Sequence, residues 1–166
     1  MKSKVNVTLC AVFFTLLGCT KMCGKARSEM TPEEVVETYL NVSLNMRDPV
    51  EKENLLALTT GTLKSAIMQA SDETIQKAFI ERNYQLDSYS VVERRDRTPR
   101  ETEITFRLQY RDLGKNRNVK PQDAPVTTTE NTVSVIKEEK SWFMKDVLGK
   151  KTSIDFPVSN EVITPE

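Results

Sequence analysis

The sequence predicts an α+β domain in which N-terminal helices pack on a curved antiparallel sheet of about four strands. Two observations predict this class. Apolar residues recur at helical spacing from residue 31 to about residue 82, and from residue 84 onward they alternate with polar residues as strands do. Helices and a sheet that are each apolar on one side must bury those sides against each other, which gives a two-layer domain.

The predicted helices begin at recognisable caps. Residues 31–34 (Thr-Pro-Glu-Glu) combine a hydroxyl N-cap, a proline at the first helical position and a glutamate at the third, and they predict a helix to about residue 46. Residues 48–51 (Asp-Pro-Val-Glu) repeat this chemistry and predict a short second helix. A third helical stretch covers residues 62–82, and Ser71-Asp72 offers a cap that divides it.

The predicted strands form two hairpins. The first joins residues 84–94, through a turn at residues 98–100, to a strand whose apolar positions are Ile104, Phe106, Leu108 and Tyr110. A loop of about a dozen residues follows at residues 112–125. The second hairpin joins residues 126–137 to residues 142–148.

The composition excludes several classes of function. The 166 residues contain 24 Lys and Arg, 24 Asp and Glu, and no His. A net charge of zero gives no electrostatic basis for binding nucleic acid. Without His, the commonest general base and zinc ligand is missing. The sequence also contains no phosphate loop, zinc spacing or nucleotide fingerprint, so we expect no metal and no cofactor.

The N-terminus predicts an export signal at residues 1–18. Two lysines in residues 1–4 precede a 13-residue, mostly apolar run at residues 5–17 that only Asn6, Thr8 and Thr15 interrupt. A run of this length fits a secretory signal, whereas a membrane-spanning helix needs roughly 17–25 apolar residues.

The end of this segment, Leu16-Leu17-Gly18-Cys19, resembles a bacterial lipobox. The resemblance implies that Cys19 is diacylated on sulfur and becomes the first residue, so that membrane lipid holds the protein through a linker at residues 19–30. The implied location is the cell membrane or the outer membrane, facing the periplasm, and Thr20 favours the outer membrane by the sorting habit of enterobacterial lipoproteins. The alternative is a conventional signal peptide cut before Ser28.

The body of the chain resembles the nuclear-transport-factor-two-like superfamily, with its cystatin-like α+β cone, over residues 31–150. The resemblance is carried by the helix start at residues 31–40, the alternating strand at residues 104–110 and the last strand, with Lys140-Ser141-Trp142 and Asp146-Val147. This superfamily contains enzymes and binding modules, so the resemblance implies the fold more than the function. We expect residues 151–166 to form an extended or disordered tail.

Asp146 and Tyr110 are weak candidates for a catalytic site of the pocket-acid type, as in isomerases and dehydratases of this superfamily. Asp146 has the same strand parity as Trp142 and Met144, and burial on that face would raise the pKa of its carboxyl toward that of a useful base. The alternative is that Asp146 faces water on the other side of the sheet.

A basic cluster is a second candidate site, for an anionic sugar, phosphate or lipid headgroup. Equal numbers of acidic residues lie among its arginines, so mutual pairing is the alternative. The candidate residues of this cluster, around the first hairpin, are Arg94, Arg95, Arg97 and Arg100. A second and weaker basic set comprises Lys115, Arg117 and Lys120 in the long loop, with Lys150 and Lys151.

From these observations we expect a lipid-anchored protein of the cell envelope whose domain is a non-catalytic module that binds a small apolar ligand or an envelope protein. The alternatives are the pocket-acid enzyme and a structural subunit of an envelope assembly that uses the tail and a sheet edge.

Overall fold

A computed structural model describes residues 27–114 and 118–155. The predicted signal peptide, Cys19, most of the linker, Lys115, Arg117 and residues 156–166 lie outside the described residues. In the part of the chain that is described, no helix is long and apolar enough to cross a membrane.

The N-terminal half is helical, as predicted. Its helices are α1 (Pro32–Asn45), α2 (Lys52–Ala57), α3 (Gly61–Gln69) and α4 (Asp72–Ile75), which continues as a π-helical turn (Gln76–Ile80), and short 3₁₀ turns lie at Arg27–Glu29 and Pro49–Glu51. The predicted capping box is present, because the Thr31 hydroxyl accepts a hydrogen bond from the Glu34 N–H at 3.2 Å and the Glu34 carboxylate accepts one from the Thr31 N–H at 2.8 Å. At α4 the Ser71 hydroxyl is the N-cap and accepts a hydrogen bond from the Thr74 N–H at 3.2 Å.

The C-terminal half is a four-stranded antiparallel meander. Its strands are β1 (Tyr84–Thr98), β2 (Glu101–Asp112), β3 (Val126–Glu138) and β4 (Ser141–Asp155), and they lie in the order of the sequence. The predicted α+β class is therefore confirmed. β4 is longer than predicted, because residues 151–155 of the predicted tail pair with the start of β3, from Glu130 opposite Lys151 to Val126 opposite Asp155.

The core has two parts that meet at Tyr39 and Leu63. The first lies between α1 and the sheet, and its buried residues are Val35, Val36, Ile104, Phe106, Leu108, Val133, Val135 and Met144. The second lies among the helices, and its buried residues are Met46, Leu55, Ile67 and Ile75.

The helical layer is also hydrogen-bonded to the edge of the sheet. The Met144 N–H in β4 donates to the Leu58 carbonyl at 3.0 Å, and the Thr60 N–H donates to the Met144 carbonyl at 2.9 Å. At the opposite edge, β1 is exposed along most of its length, and its pairing with β2 shifts register at three places.

Candidate functional site

A cleft of about 320 Å³ lies between the helices and the sheet. α1 contributes Tyr39, Leu40 and Leu44, and the turn after α4 contributes Ala78. The strands supply the remaining lining residues, which are Tyr84, Leu86, Phe106, Leu108, Tyr110, Thr129, Asn131, Val133, Met144, Val147 and Lys150. The volume lies at the lower end of the range of small-molecule sites, and the lining is mostly apolar, as such sites require.

The inward positions of β3 change in character along the cleft. Val135 and Val133 fill the space under α1, whereas Asn131 and Thr129, the next two inward positions, are polar. Asn131 and Thr129 lie opposite Phe106 and Leu108 of β2. The Asn131 amide donates to the Thr129 hydroxyl at 3.0 Å, so these two side chains form a hydrogen-bonded floor.

Three tyrosines form part of the walls. Burial raises the pKa of Tyr39 to about 12 and also raises the pKa of Tyr110. The rings of Tyr84 and Tyr110 meet edge to face with their centroids 4.7 Å apart, and Arg82 donates a hydrogen bond to the Tyr84 hydroxyl at 3.1 Å. Tyr110, the weak catalytic candidate, therefore lies in the cleft as part of an aromatic pair.

The charge of the cleft comes from one residue. Of the described residues that line it, only Lys150 carries a formal charge. Lys150 lies in β4 directly opposite Asn131 and is exposed, so its ammonium group stands at the mouth of the cleft beside the polar floor.

Asp146 lies on the opposite face of the sheet from the one that strand parity predicted. Ser134 pairs with Asp146 and Val135 pairs with Met144, so Lys145 is the extra residue of a bulge. Since Ser134 and Val135 are consecutive residues of β3, their partners point to opposite faces, and Met144 is the one in the core. Of the two possibilities drawn from the sequence, the register therefore agrees with the alternative, in which Asp146 and Met144 lie on opposite faces.

The predicted arginine cluster lies around the β1–β2 hairpin, away from the cleft lining. Three of its guanidinium groups contact carboxylates, which is the mutual pairing considered above. The pairs are Arg94 with Glu33 at 2.9 Å and with Asp96 at 3.0 Å, Arg95 with Glu93 at 2.8 Å, and Arg97 with Glu103 at 2.7 Å.

Arg100 lies in the turn itself, where its carbonyl accepts a hydrogen bond from the Lys137 N–H at 2.8 Å. Lys115 and Arg117 are outside the described residues. Among the described residues of the cluster, Arg94, Arg95 and Arg97 are paired with carboxylates and do not surround an open anion site. A site for an anion at this hairpin stays a prediction.

Thr129 and Asn131 were not among the site residues predicted from the sequence, and Lys150 was predicted only as part of the second, weaker basic set. A signal for them was available. The inward positions of β3 are Thr127, Thr129, Asn131, Val133 and Val135. The inward face is therefore polar near the start of the strand and apolar near its end. Within residues 27–114 and 118–155, no group of three or more His, Cys, Asp or Glu residues could hold a metal ion.

Several chains among the solved structures are similar to this one. No protein-family model matches the chain, and no curated protein matches it. The intermembrane-space region of the chloroplast protein ARC6 is similar over 75% of this chain and 93% of that one, with a TM-score of 0.47 and 16% identity. The VirB8 protein of Agrobacterium tumefaciens is similar over 79% of this chain and 98% of that one, with a TM-score of 0.38 and 18% identity. The residues of the cleft itself must therefore support the functional conclusion.

Proposed function

We propose that the chain is a lipid-tethered protein of the bacterial cell envelope whose α+β domain is a non-catalytic module that binds a small apolar ligand. The observation that carries this proposal is the cleft between α1 and the concave face of the sheet, with its apolar walls and hydrogen-bonded polar floor. We also propose that the domain has the fold of the nuclear-transport-factor-two-like superfamily. The order of its elements, helices followed by an antiparallel meander, is compatible with that fold.

The lining of the cleft favours binding over catalysis. The pocket-acid alternative needs a carboxyl group that can reach a bound substrate. None of the described lining residues carries a carboxylate, and Asp146 lies on the other face of the sheet. Phenols are protonated at neutral pH, and burial raises the pKa values of Tyr39 and Tyr110 further above it, so neither side chain supplies a base to the cleft.

The tether rests on the sequence of the first 30 residues. Two acyl chains on Cys19 would hold the protein at a bilayer, whereas a single chain is retained only marginally. Near the end of the linker, a 3₁₀ turn (Arg27–Glu29) contacts β4, and α1 begins at Pro32. The folded body would thus begin within a few residues of the bilayer surface.

The ligand test uses the chain without residues 1–18, which keeps all of the described fold. Titration with the neutral fluorophore phenylnaphthylamine should show saturable binding of one molecule per chain. Ala78 lies at the rim, and Ala78→Trp should fill the opening and weaken binding by at least about tenfold. Met68→Trp is the matched control, because Met68 is an exposed residue of α3 outside the cleft. Unsaturable binding, or an equal loss in both variants, would overturn the proposed binding site.

The tether test uses the full chain expressed in bacteria that are fed an alkynyl fatty acid. The wild-type chain should take up the label and sediment with membranes. Cys19→Ser should lose both properties, and Cys23→Ser, four residues away, should keep both. A mature chain that starts at Ser28 and carries no label would show that the lipid anchor is absent.

A further inference from the structure

The charge pattern of the cleft points to the chemical class of its ligand. Lys150 and Asn131 are direct cross-strand partners on the inner face of the sheet. Side chains in such positions have their Cβ atoms about 5 Å apart, close enough for one small group to contact both. The lysine offers three N–H donors and a positive charge, and the amide offers N–H donors as well.

The Asn131 amide belongs to the polar floor and has one N–H donor to spare. One N–H of Asn131 is engaged by the Thr129 hydroxyl at 3.0 Å, and that bond fixes the plane of the amide. The second N–H remains for a ligand. Thr129 is only 2% exposed, so the floor belongs to the interior of the cleft, and Lys150 stands at its mouth.

The charge of Lys150 is not neutralised inside the cleft. The other described lining residues are apolar, hydroxyl or amide side chains, so no carboxylate competes there for the ammonium group. The adjacent Lys151 differs, because it lies opposite Glu130 on the outer face of the sheet. A ligand in the cleft would therefore meet a single positive charge next to apolar walls.

We propose that the cleft binds a single-chain amphiphile with a carboxylate headgroup, such as a fatty acid of medium length. This inference rests on the proposed function and names its ligand class. The carboxylate accepts hydrogen bonds from Lys150 and Asn131, and the alkyl chain lies along Leu40, Leu44, Phe106 and Leu108. A negative headgroup is complementary to the charge at the mouth, whereas a positive headgroup is repelled by it.

The test is displacement of phenylnaphthylamine by three ten-carbon amphiphiles, each at concentrations at which it stays monomeric in solution. Decanoate should bind about tenfold more tightly than decanol, because a charge-assisted hydrogen bond is added to the same apolar contacts. Decyltrimethylammonium should bind more weakly than decanol. The advantage of decanoate should shrink as sodium chloride is raised, because salt screens charges at an exposed mouth.

Variants at two adjacent positions of β4 isolate the headgroup contact. Lys150→Gln should lower the affinity for decanoate about tenfold and leave the affinity for decanol unchanged. Lys150→Glu should reverse the order and favour the ammonium compound. Lys151→Gln is the matched control, since it removes a neighbouring charge from the other face and should change neither affinity.

The outcomes separate this inference from the proposed function. If the three amphiphiles displace the fluorophore equally and Lys150→Gln has no effect, the carboxylate preference is overturned and the apolar binding site stands. If Lys151→Gln acts as strongly as Lys150→Gln, only a diffuse positive field attracts the ligand, and the assigned contact is wrong. If neither the fluorophore nor any amphiphile binds, the proposed function fails as well.

Discussion

Arg94 of β1 donates a hydrogen bond to Glu33 in the first turn of α1, with 2.9 Å between Nη1 and Oε1. The same guanidinium contacts Asp96 at 3.0 Å through Nε, and the hydrogen bonds to Asp96 and Glu33 raise its pKa. Asp96 in turn accepts a hydrogen bond from the hydroxyl of Thr102, which is fully buried in β2. The start of α1 is thereby joined to two strands.

We expect a small coupling energy between Arg94 and Glu33. In a double-mutant cycle with Arg94→Gln and Glu33→Gln, the coupling should be about 0.5–1 kcal/mol, because Arg94 is 42% exposed and water screens the pair. Urea unfolding of the four chains measures it. The reference cycle is Arg95 with Glu93, two exposed residues of one strand, where the coupling should be smaller. An equal or larger coupling in the reference cycle would contradict the assigned role.

Stability should fall in acid. Hydrogen bonds from Thr102 and then Arg94 lower the pKa of Asp96, and those from Ser134 and then Lys145 lower the pKa of Glu101. A carboxyl with a lowered pKa in the folded state stabilises it above the usual pKa, and this contribution is lost as the pH falls through the folded value. The free energy of unfolding should therefore decrease below about pH 4. Asp96→Asn should make this decrease with falling pH smaller. Urea unfolding at a series of pH values measures it, and an unchanged dependence of the unfolding free energy on pH would contradict the prediction.

Stability should also fall in alkali, for the opposite reason. Burial raises the pKa values of Tyr39 and Tyr89 from 10.0 to about 12. A phenol with a raised pKa in the folded state stabilises it fully below pH 10.0, and this contribution is lost as the pH rises toward about 12. Absorbance of phenolate during titration would report both events. Tyr39→Phe should reduce the alkaline loss of stability, and an unchanged profile would contradict the assignment.

Gly61 should be intolerant of a side chain. Its φ is +58°, a left-handed conformation, and a Cβ there would meet the Lys145 Cγ at 3.0 Å. Gly61→Ala should lower the free energy of unfolding by about 1–2 kcal/mol. Gly149 is the matched control, because a Cβ there meets nothing within 4 Å. Gly149→Ala should leave stability unchanged or raise it slightly, and equal losses in the two variants would contradict this account.

Asp146→Asn should leave ligand binding unchanged, because the bulge at Lys145 directs Asp146 away from the cleft. Titration with phenylnaphthylamine measures the effect. Leu40→Ala provides the contrast, since it removes apolar surface from the wall and should weaken binding several-fold. If Asp146→Asn weakens binding as much as Leu40→Ala does, then Asp146 contributes to the site despite its position in the register.

Local signals in the sequence were sufficient to predict the helices and strands. They were not sufficient to predict which residues of β4 lie on which face of the sheet. The cap at Thr31, the division at Ser71 and the alternation from Ile104 to Tyr110 are encoded by neighbouring residues, and the structure contains all three. The bulge at Lys145 depends on pairing with β3, so counting by two along β4 placed Asp146 on the wrong face. For the same reason, the extension of β4 to Asp155 was missed, because its ladder depends on the start of β3.

The candidate site was less predictable than the fold. Periodicity showed that α1 and β2 have apolar faces, which gives the walls. The volume of the cleft depends on how the inward residues of β3 match the end of α1, and Lys150 joins the cleft only through its pairing with Asn131. Contacts of this kind are made between distant parts of the chain and have no signature within one segment.

The interrupted register of β1 has a consequence for proteins held side by side on one surface. Register shifts after Leu86, Val91 and Asp96 divide the outer row of main-chain N–H and C=O groups into short stretches. The strand is also charged there, with Glu93, Arg94, Arg95, Asp96 and Arg97 in succession. Edge strands that carry charges and bulges oppose edge-to-edge pairing between sheets of neighbouring molecules. Molecules crowded on one surface should therefore not aggregate through β1.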